Sequence, residues 1–313
     1  MTLGLATLSL IGGLIILVWC SDRMVDGAEG IARILGVPSF VVGLTIVAYG
    51  TSLPEFVVSL LSAHRGVADF AVGNIVGSNI ANIGLVFGVV LVLARIAMPE
   101  VKLVRRDFSF LAVATAIGVL TLLDGEVGRL DGALLFFLAV VFTWVCLRTP
   151  GVEDSDDEEG LSGFKSSGLL VLGLSGLVAG AHFMVDGGTV IARHFGIGER
   201  IIGLTIVALG TSLPELAASL AAVRKGNAGL AVGNVVGSCL FNLAFVMGAS
   251  SMIQPLAVDV GAMTWDLCAM VGLTIAMWLM LAGARQTKRR DGVLLVSFYT
   301  GFMLYLAQTT LAS

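Results

Sequence analysis

Residues Gly43–Glu55 read GLTIVAYGTSLPE, and residues Gly203–Glu215 read GLTIVALGTSLPE. The two stretches differ only at Tyr49 against Leu209 and lie 160 positions apart. Each passes from apolar residues into small hydroxyls, a proline and a glutamate. Flanking blocks repeat at the same offset: MVDG at Met24–Gly27 and Met184–Gly187, and IAR at Ile31–Arg33 and Ile191–Arg193. VGNIVGSNIANI at Val72–Ile83 likewise matches VGNVVGSCLFNL at Val232–Leu243. No gap is needed between the blocks, so the chain reads as two copies of one unit.

Composition says where that unit sits. Of 313 residues, 57% are hydrophobic and only 13% charged, and the mean hydropathy is +0.98. A soluble chain carries about a quarter charged residues, so this is an integral membrane protein. Its apolar runs of about 20 residues have helix length, whereas a barrel would show alternating segments of about ten. Forty glycines suit helices packed at close range in lipid. The four cysteines, Cys20, Cys146, Cys239 and Cys268, are scattered with no CxxC spacing, so neither a disulfide framework nor a thiolate metal site is indicated. No basic nucleic-acid surface and no soluble domain is visible. Thr2–Trp19 lacks a basic leader and a cleavage motif and reads as a retained first helix.

The hydropathy divides the chain into ten segments, near 3–35, 39–64, 69–93, 106–123, 129–147, 166–194, 200–224, 229–252, 260–282 and 291–310. Placing the N-terminus outside gathers Arg33, Arg95, Lys102, Arg105, Arg106, Arg148, Lys165, Arg224, Lys225, Arg285, Lys288, Arg289 and Arg290 on the cytoplasmic side. Only Arg65, Arg129, Arg193 and Arg200 remain outside. The positive-inside rule therefore puts both termini outside and the acidic linker inside. An odd number of segments per copy forces the second copy to enter from the opposite face. The expected fold is an all-α integral membrane protein, ten transmembrane helices in two inverted-topology repeats of five. Residues 1–148 form the first repeat, 149–165 the acidic cytoplasmic linker and 166–313 the second repeat. Inverted repeats point to a transporter with its site near the midplane. The linker run EDSDDEE at Glu153–Glu159 reads as a solvated loop, since it lacks the ligand spacing of a calcium loop.

The chemistry concentrates where the copies are most alike. Glu55 follows Pro54 and Glu215 follows Pro214 in the middle of apolar segments. A charged side chain at membrane depth costs about 3 to over 10 kcal/mol, so each carboxylate needs a partner, a proton or an ion. Proline has no N–H and clashes with the carbonyl four residues earlier. The helices should break there and free carbonyls around Ala48–Thr51 and Ala208–Thr211. Together with the hydroxyls of Thr51, Ser52, Thr211 and Ser212 they make an all-oxygen shell suited to Ca²⁺ or Na⁺. Asn74, Ser78 and Asn82 recur every four residues and share one helix face, as do Asn234, Ser238 and Asn242. For Asn74 and Asn234 a hydrogen-bond ladder between helices competes with an ion-binding role. His64, His182 and His194 are not site candidates.

GTSLPE, occurring twice, and GNxxGSNxxN, whose second copy reads GNxxGSCxxN, resemble the two α-repeats of the calcium:cation antiporter superfamily, most closely prokaryotic sodium/calcium exchangers. The paired motifs span 43–83 and 203–243. The resemblance implies exchange of Ca²⁺ for Na⁺ by alternating access in the cell (inner) membrane, with no cofactor and no enzymatic activity. It implies a monomer in the lipid bilayer with no protein partner. It implies coordination by Glu55, Glu215, Asn82 and Asn242, completed by Thr51, Ser52, Ser78, Thr211, Ser212 and Ser238 and by carbonyls at Ala48 and Ala208. The first and sixth segments would slide over the other eight. Some exchangers carry aspartate at the position of Asn242, and Cys239 stands where the first copy has Asn79. Those departures leave H⁺ or K⁺ open as further ions. A Ca²⁺/H⁺ antiporter and a cation channel are the rival readings. An intramembrane protease would need a catalytic pairing that the sequence lacks.

Overall fold

The computed structural model describes residues 1–93, 101–148, 161–197, 206, 208–282 and 287–312. The acidic run Glu153–Glu159 and the start of the second signature, Gly203–Thr205, lie outside the described residues. The chain is helical almost throughout. In the first half α1 spans Leu3–Leu35, α2 Ser39–Thr51, α3 Leu53–His64, α4 Ala68–Leu93, α5 Val101–Leu122 and α6 Arg129–Leu147. In the second half α7 spans Gly163–His194, α8 Ala208–Thr211, α9 Leu213–Arg224, α10 Ala228–Ile253, α11 Val260–Ala282 and α12 Arg289–Ala312. Among the described residues, 7 helices are long and apolar enough to cross a membrane, or 8 if the bent pair α2–α3 counts as one span. The protein is thus a multi-pass membrane protein. A two-residue antiparallel ladder that the hydropathy does not show, Glu126–Val127 (β1) against Leu256–Ala257 (β2), ties the α5–α6 connection to the α10–α11 connection.

Glycines set which helices touch. α1 and α7 run antiparallel along their length. A methyl on Gly13 would lie 2.6 Å from the Gly180 carbonyl, and one on Gly173 would lie 2.5 Å from Met24 Cα. Gly27, Gly30, Gly176 and Gly187 face equally close neighbours across the same seam. The Ser9 hydroxyl adds a 2.9 Å bond to the Phe183 carbonyl. Removing side chains lets the backbones approach, the usual source of helix association where lipid supplies no hydrophobic drive.

The two halves interlock through a second glycine pattern. Gly88 of α4 packs against Gly292 of α12, and Gly248 of α10 packs against Gly132 of α6. Each pair is the other shifted by 160 residues, so each half closes on the last helix of the opposite half. α2 lies parallel to α10: Phe40 approaches Gly233, while Leu44 and Ala48 approach Gly237.

Charge appears at one end of α1. Arg224 Nη2 lies 2.5 Å from Asp22 Oδ1. Lys225 pairs with Asp26 and donates to the Asp22 carbonyl at 2.9 Å. Asn227 Nδ2 donates to Glu29 Oε1 at 3.0 Å. These contacts fasten α1 to the connection between α9 and α10. At the equivalent place on α7, His182 and Asp186 pair with each other, 3.3 Å apart.

Candidate functional site

The break expected at Pro54 is present one turn of chain earlier than the glutamate. α2 ends at Thr51, Ser52 adopts φ −88°, ψ 10°, and α3 departs at 49°. Pro54 and Pro214 fall in the first turn of α3 and α9, where the missing N–H is harmless. Glu55 and Glu215 follow in the same first turns, at the electropositive end of each helix. The carbonyl end of α2 points at the same spot, so a cation there would meet the negative end of one helix dipole.

One expectation is corrected. The Ala48 carbonyl is not left bare by the break: it accepts the Ser52 N–H at 3.1 Å and the Thr51 hydroxyl at 3.3 Å. A short turn closes the end of α2 before proline can expose it. In the second half the Ser212 N–H bonds to the Leu209 carbonyl at 3.1 Å.

The two glutamates meet in one buried cluster. Both are fully inaccessible, and they lie within electrostatic reach of each other. The contacts cross between halves. Ser52 Oγ donates to Glu215 Oε1 at 2.7 Å. Thr51 Oγ1 reaches Asn234 Oδ1 at 3.3 Å, and Thr211 faces the Glu55 carboxylate. Among the described residues neither glutamate has a basic partner.

The asparagines divide into two kinds. Asn74 Nδ2 donates to the Glu55 carbonyl at 3.2 Å and to Ser59 Oγ at 2.9 Å. Asn234 Nδ2 makes the same pair of bonds to the Glu215 carbonyl at 3.3 Å and Ser219 Oγ at 3.0 Å. These two are clamps that hold each glutamate's backbone against α4 or α10. Asn82 and Asn242 are buried, yet among the described residues neither amide nitrogen nor amide oxygen of either has a hydrogen-bond partner. Both Glu55 oxygens, Glu215 Oε2, Ser212 Oγ and Ser238 Oγ are in the same condition, and Ser78 is buried nearby. A buried polar atom left unsatisfied costs about 1–3 kcal/mol. Natural folds keep few of them, and here many fall on the residues singled out by the repeat.

Asn82 opens a π-helical stretch, Asn82–Phe87, and Asn242 lies in its counterpart, Phe241–Val246. Such widened turns occur mainly at functional sites. Among the described residues no group of three or more His, Cys, Asp or Glu could hold a metal. What the cluster offers is two carboxylates and neutral oxygens, a donor set for hard cations. Sequence reasoning missed Ser59 and Ser219, although both stand four residues after a glutamate in each copy. It also missed why Tyr49 replaces leucine. Its ring packs 4.4 Å from Phe241, Phe241 stacks on Phe245, and its hydroxyl lies 2.5 Å from Thr143 Oγ1.

The fold is therefore that of a multi-pass membrane protein whose two halves each deliver a glutamate to one buried, oxygen-rich cluster. The family model for sodium/calcium exchanger protein matches residues 5–148 and again 165–308. The putative antiporter CaxA of Alkalimonas amylolytica is 39% identical over 96% of this chain and 98% of its own length. Sodium/calcium exchanger MaX1 of Methanosarcina acetivorans is 30% identical over 96% and 97%. Among solved structures, the sodium-calcium exchanger NCX_Mj soaked with Na⁺ and Sr²⁺ superposes with a TM-score of 0.85 at 31% identity, covering 96% of this chain and 97% of that one. The chain belongs to the sodium/calcium exchanger family.

Proposed function

We propose that this protein exchanges Ca²⁺ for Na⁺ across the membrane, with the cargo held between Glu55 and Glu215. The observation that carries the reading is the crossed cluster itself. Each half contributes one fully buried glutamate, each glutamate meets hydroxyls from the other half, and among the described residues no basic side chain neutralises them. A cation can do so. Glu55, Glu215, Asn82 and Asn242 supply the principal oxygens, and Thr51, Ser52, Ser78, Thr211, Ser212 and Ser238 supply hydroxyls. Backbone at Ala48 and Ala208 completes the shell, the Ala48 carbonyl by turning from Ser52 to the ion.

Two negative charges are matched by one Ca²⁺ or two Na⁺. The empty cluster would carry both charges through a dry intermediate at a cost of several kcal/mol per ion. Occupied, it is neutral. The empty carrier is thereby held on one face, which couples the two ions without direct contact between them.

The reading includes ten spans in two inverted repeats, residues 1–148 and 166–313, with a cytoplasmic linker at 149–165 and both termini outside. It is supported by helix direction. α2 is parallel to α10, while the Glu55–Asn74 clamp folds α3 back along α4. The equivalent helices α4 and α10 thus point in opposite senses, as α1 and α7 do. The α1–α7 pair is the part that moves over the remaining helices. The protein works as a monomer without a cofactor.

The test is Ca²⁺ uptake into proteoliposomes driven by a Na⁺ gradient. Glu55→Gln and Glu215→Gln are each expected to abolish it while the purified protein keeps its elution profile. Near-normal uptake by either variant would sink the site assignment. Replacing the Na⁺ gradient by a H⁺ or K⁺ gradient should give no uptake.

A further inference from the structure

The two signatures differ at one position, and that position has surroundings of its own. The Tyr49 ring of α2 lies 4.4 Å from Phe241 of α10. Phe241 stacks on Phe245 at 4.7 Å, and Phe245 meets Phe136 of α6 at 5.1 Å and Phe56 of α3 at 5.4 Å. Rings at these spacings attract beyond simple burial and fix one another's orientation. A chain of hydrogen bonds anchors the cluster to α6. The Thr143 hydroxyl donates to the Ala139 carbonyl at 2.8 Å, so its one proton is committed. The Tyr49 hydroxyl, 2.5 Å from Thr143 Oγ1, is therefore the donor of the second bond.

Members of this cluster are chain neighbours of residues assigned above to the cargo. Tyr49 follows Ala48, Phe56 follows Glu55, and Phe241 precedes Asn242. The cluster thus holds the backbone beside a carbonyl, a carboxylate and an amide at once. At the 160-residue offset the rings are replaced by Leu209, Leu216, Ala81, Leu85 and Val296, and Thr143 by Met303. None of these side chains can stack, and Leu209 has no hydroxyl to donate, wherever they are placed. The brace belongs to one set of donors only.

Selectivity among hard cations follows cavity size, ligand number and the rigidity with which the ligands are held. Resting on the antiporter reading above, we infer that Tyr49 is a positioning residue that fixes Ala48, Glu55 and Asn242 at the spacing of Ca²⁺ and so discriminates against larger divalent cations. It acts through the backbone and the neighbouring rings and does not itself touch cargo. The aliphatic set around Ala208, Glu215 and Asn82 is the compliant side of the site.

The test is Na⁺-driven uptake of Ca²⁺ and of Ba²⁺ into proteoliposomes. Tyr49→Phe keeps the ring and leaves the Thr143 proton on Ala139, so no buried donor is orphaned. It is expected to raise the half-saturating Ca²⁺ about ten-fold, the upper end of what one net hydrogen bond provides, and to leave that for Ba²⁺ in place. Thr143→Ser should keep the parent preference. Thr143→Val added to Tyr49→Phe should change it no further, because the two substitutions remove one and the same bond. Equal shifts for both ions, no shift, or additive losses overturn the proposal; a tyrosine with a merely structural role would lower the melting temperature and leave the ratio of the two ions intact. Calorimetric binding of Ca²⁺ and Ba²⁺ to the purified protein reads the same ratio without transport. Parent protein that binds Ca²⁺ in that assay yet shows no Na⁺-driven uptake overturns the antiporter reading instead, while the binding ratio still decides the role of Tyr49.

Discussion

Asn242 sits where a carboxylate would change the arithmetic of the cluster. Glu55 and Glu215 give two charges, and both amide atoms of Asn242 are free to turn toward cargo. Asn242→Asp adds a third charge, so one Ca²⁺ leaves the cluster at −1 while three Na⁺ neutralise it. The expected outcome is a change in the Na⁺ dependence of Ca²⁺ uptake, from a Hill coefficient near two to one near three. Asn234 acts differently. Asn234→Ala strips the Glu215 carbonyl and Ser219 of their shared donor and should lower stability by about 1–3 kcal/mol, read as a fall in melting temperature in detergent. The equivalent loss at Asn74 should be of similar size. These four asparagines were all visible in the sequence, and their face was legible from the four-residue spacing. Which are clamps and which are left open was not. That depends on Ser59 and Ser219 on a neighbouring helix, and one-dimensional spacing carries no information about a partner from another element.

At the scale of elements, several helices were legible to within a few residues because length and hydropathy are dictated by the bilayer. The span expected at 260–282 is α11, and that at 129–147 is α6. The break at Ser52 followed from Pro54, whose chemistry is local. The π-helical stretches and the β1–β2 ladder were not legible, since both answer to tertiary packing and not to propensity. The glycines were legible only as a count. Which of them form the seam is set by what lies opposite. Gly173 meets Met24 Cα, so Gly173→Val should push α1 from α7. Overpacking of this kind costs about 1–3 kcal/mol. Ca²⁺ binding to the purified variant should persist while exchange is lost, because the glutamates are on other helices.

On the scale of the whole molecule, the two copies are near-identical in signature but unlike at their edges. Asp22, Asp26 and Glu29 fasten α1 to Arg224, Lys225 and Asn227. The α7 equivalents of the first two are His182 and Asp186, which pair with each other. An exposed ion pair is worth about 0–1 kcal/mol and weakens with salt. Replacing Arg224 and Lys225 by alanine should therefore expose Ser21, which is buried beside a cavity that Arg224 also lines. Labelling of a Ser21→Cys reporter from that face should rise roughly five-fold for each 1 kcal/mol lost, and high salt should mimic it in the parent protein. The aromatic stack of Tyr49, Phe241 and Phe245 has aliphatic counterparts at Leu209, Ala81 and Leu85. A mirror-image pair of end states is thus excluded by composition.

The antiparallel seam between α1 and α7 has an electrical consequence. Each helix carries a macrodipole of about half a charge at either end. Lying head to tail, the two cancel. If the pair shifts along the membrane normal as one body, its backbone moves no net charge through the transmembrane field, where each whole charge is worth about 2.3 kcal/mol per 100 mV. The backbone of such a pair is voltage-blind, and any voltage sensitivity of its movement would reside in charged side chains and bound ions. A voltage step applied without Na⁺ or Ca²⁺ should evoke no transient current.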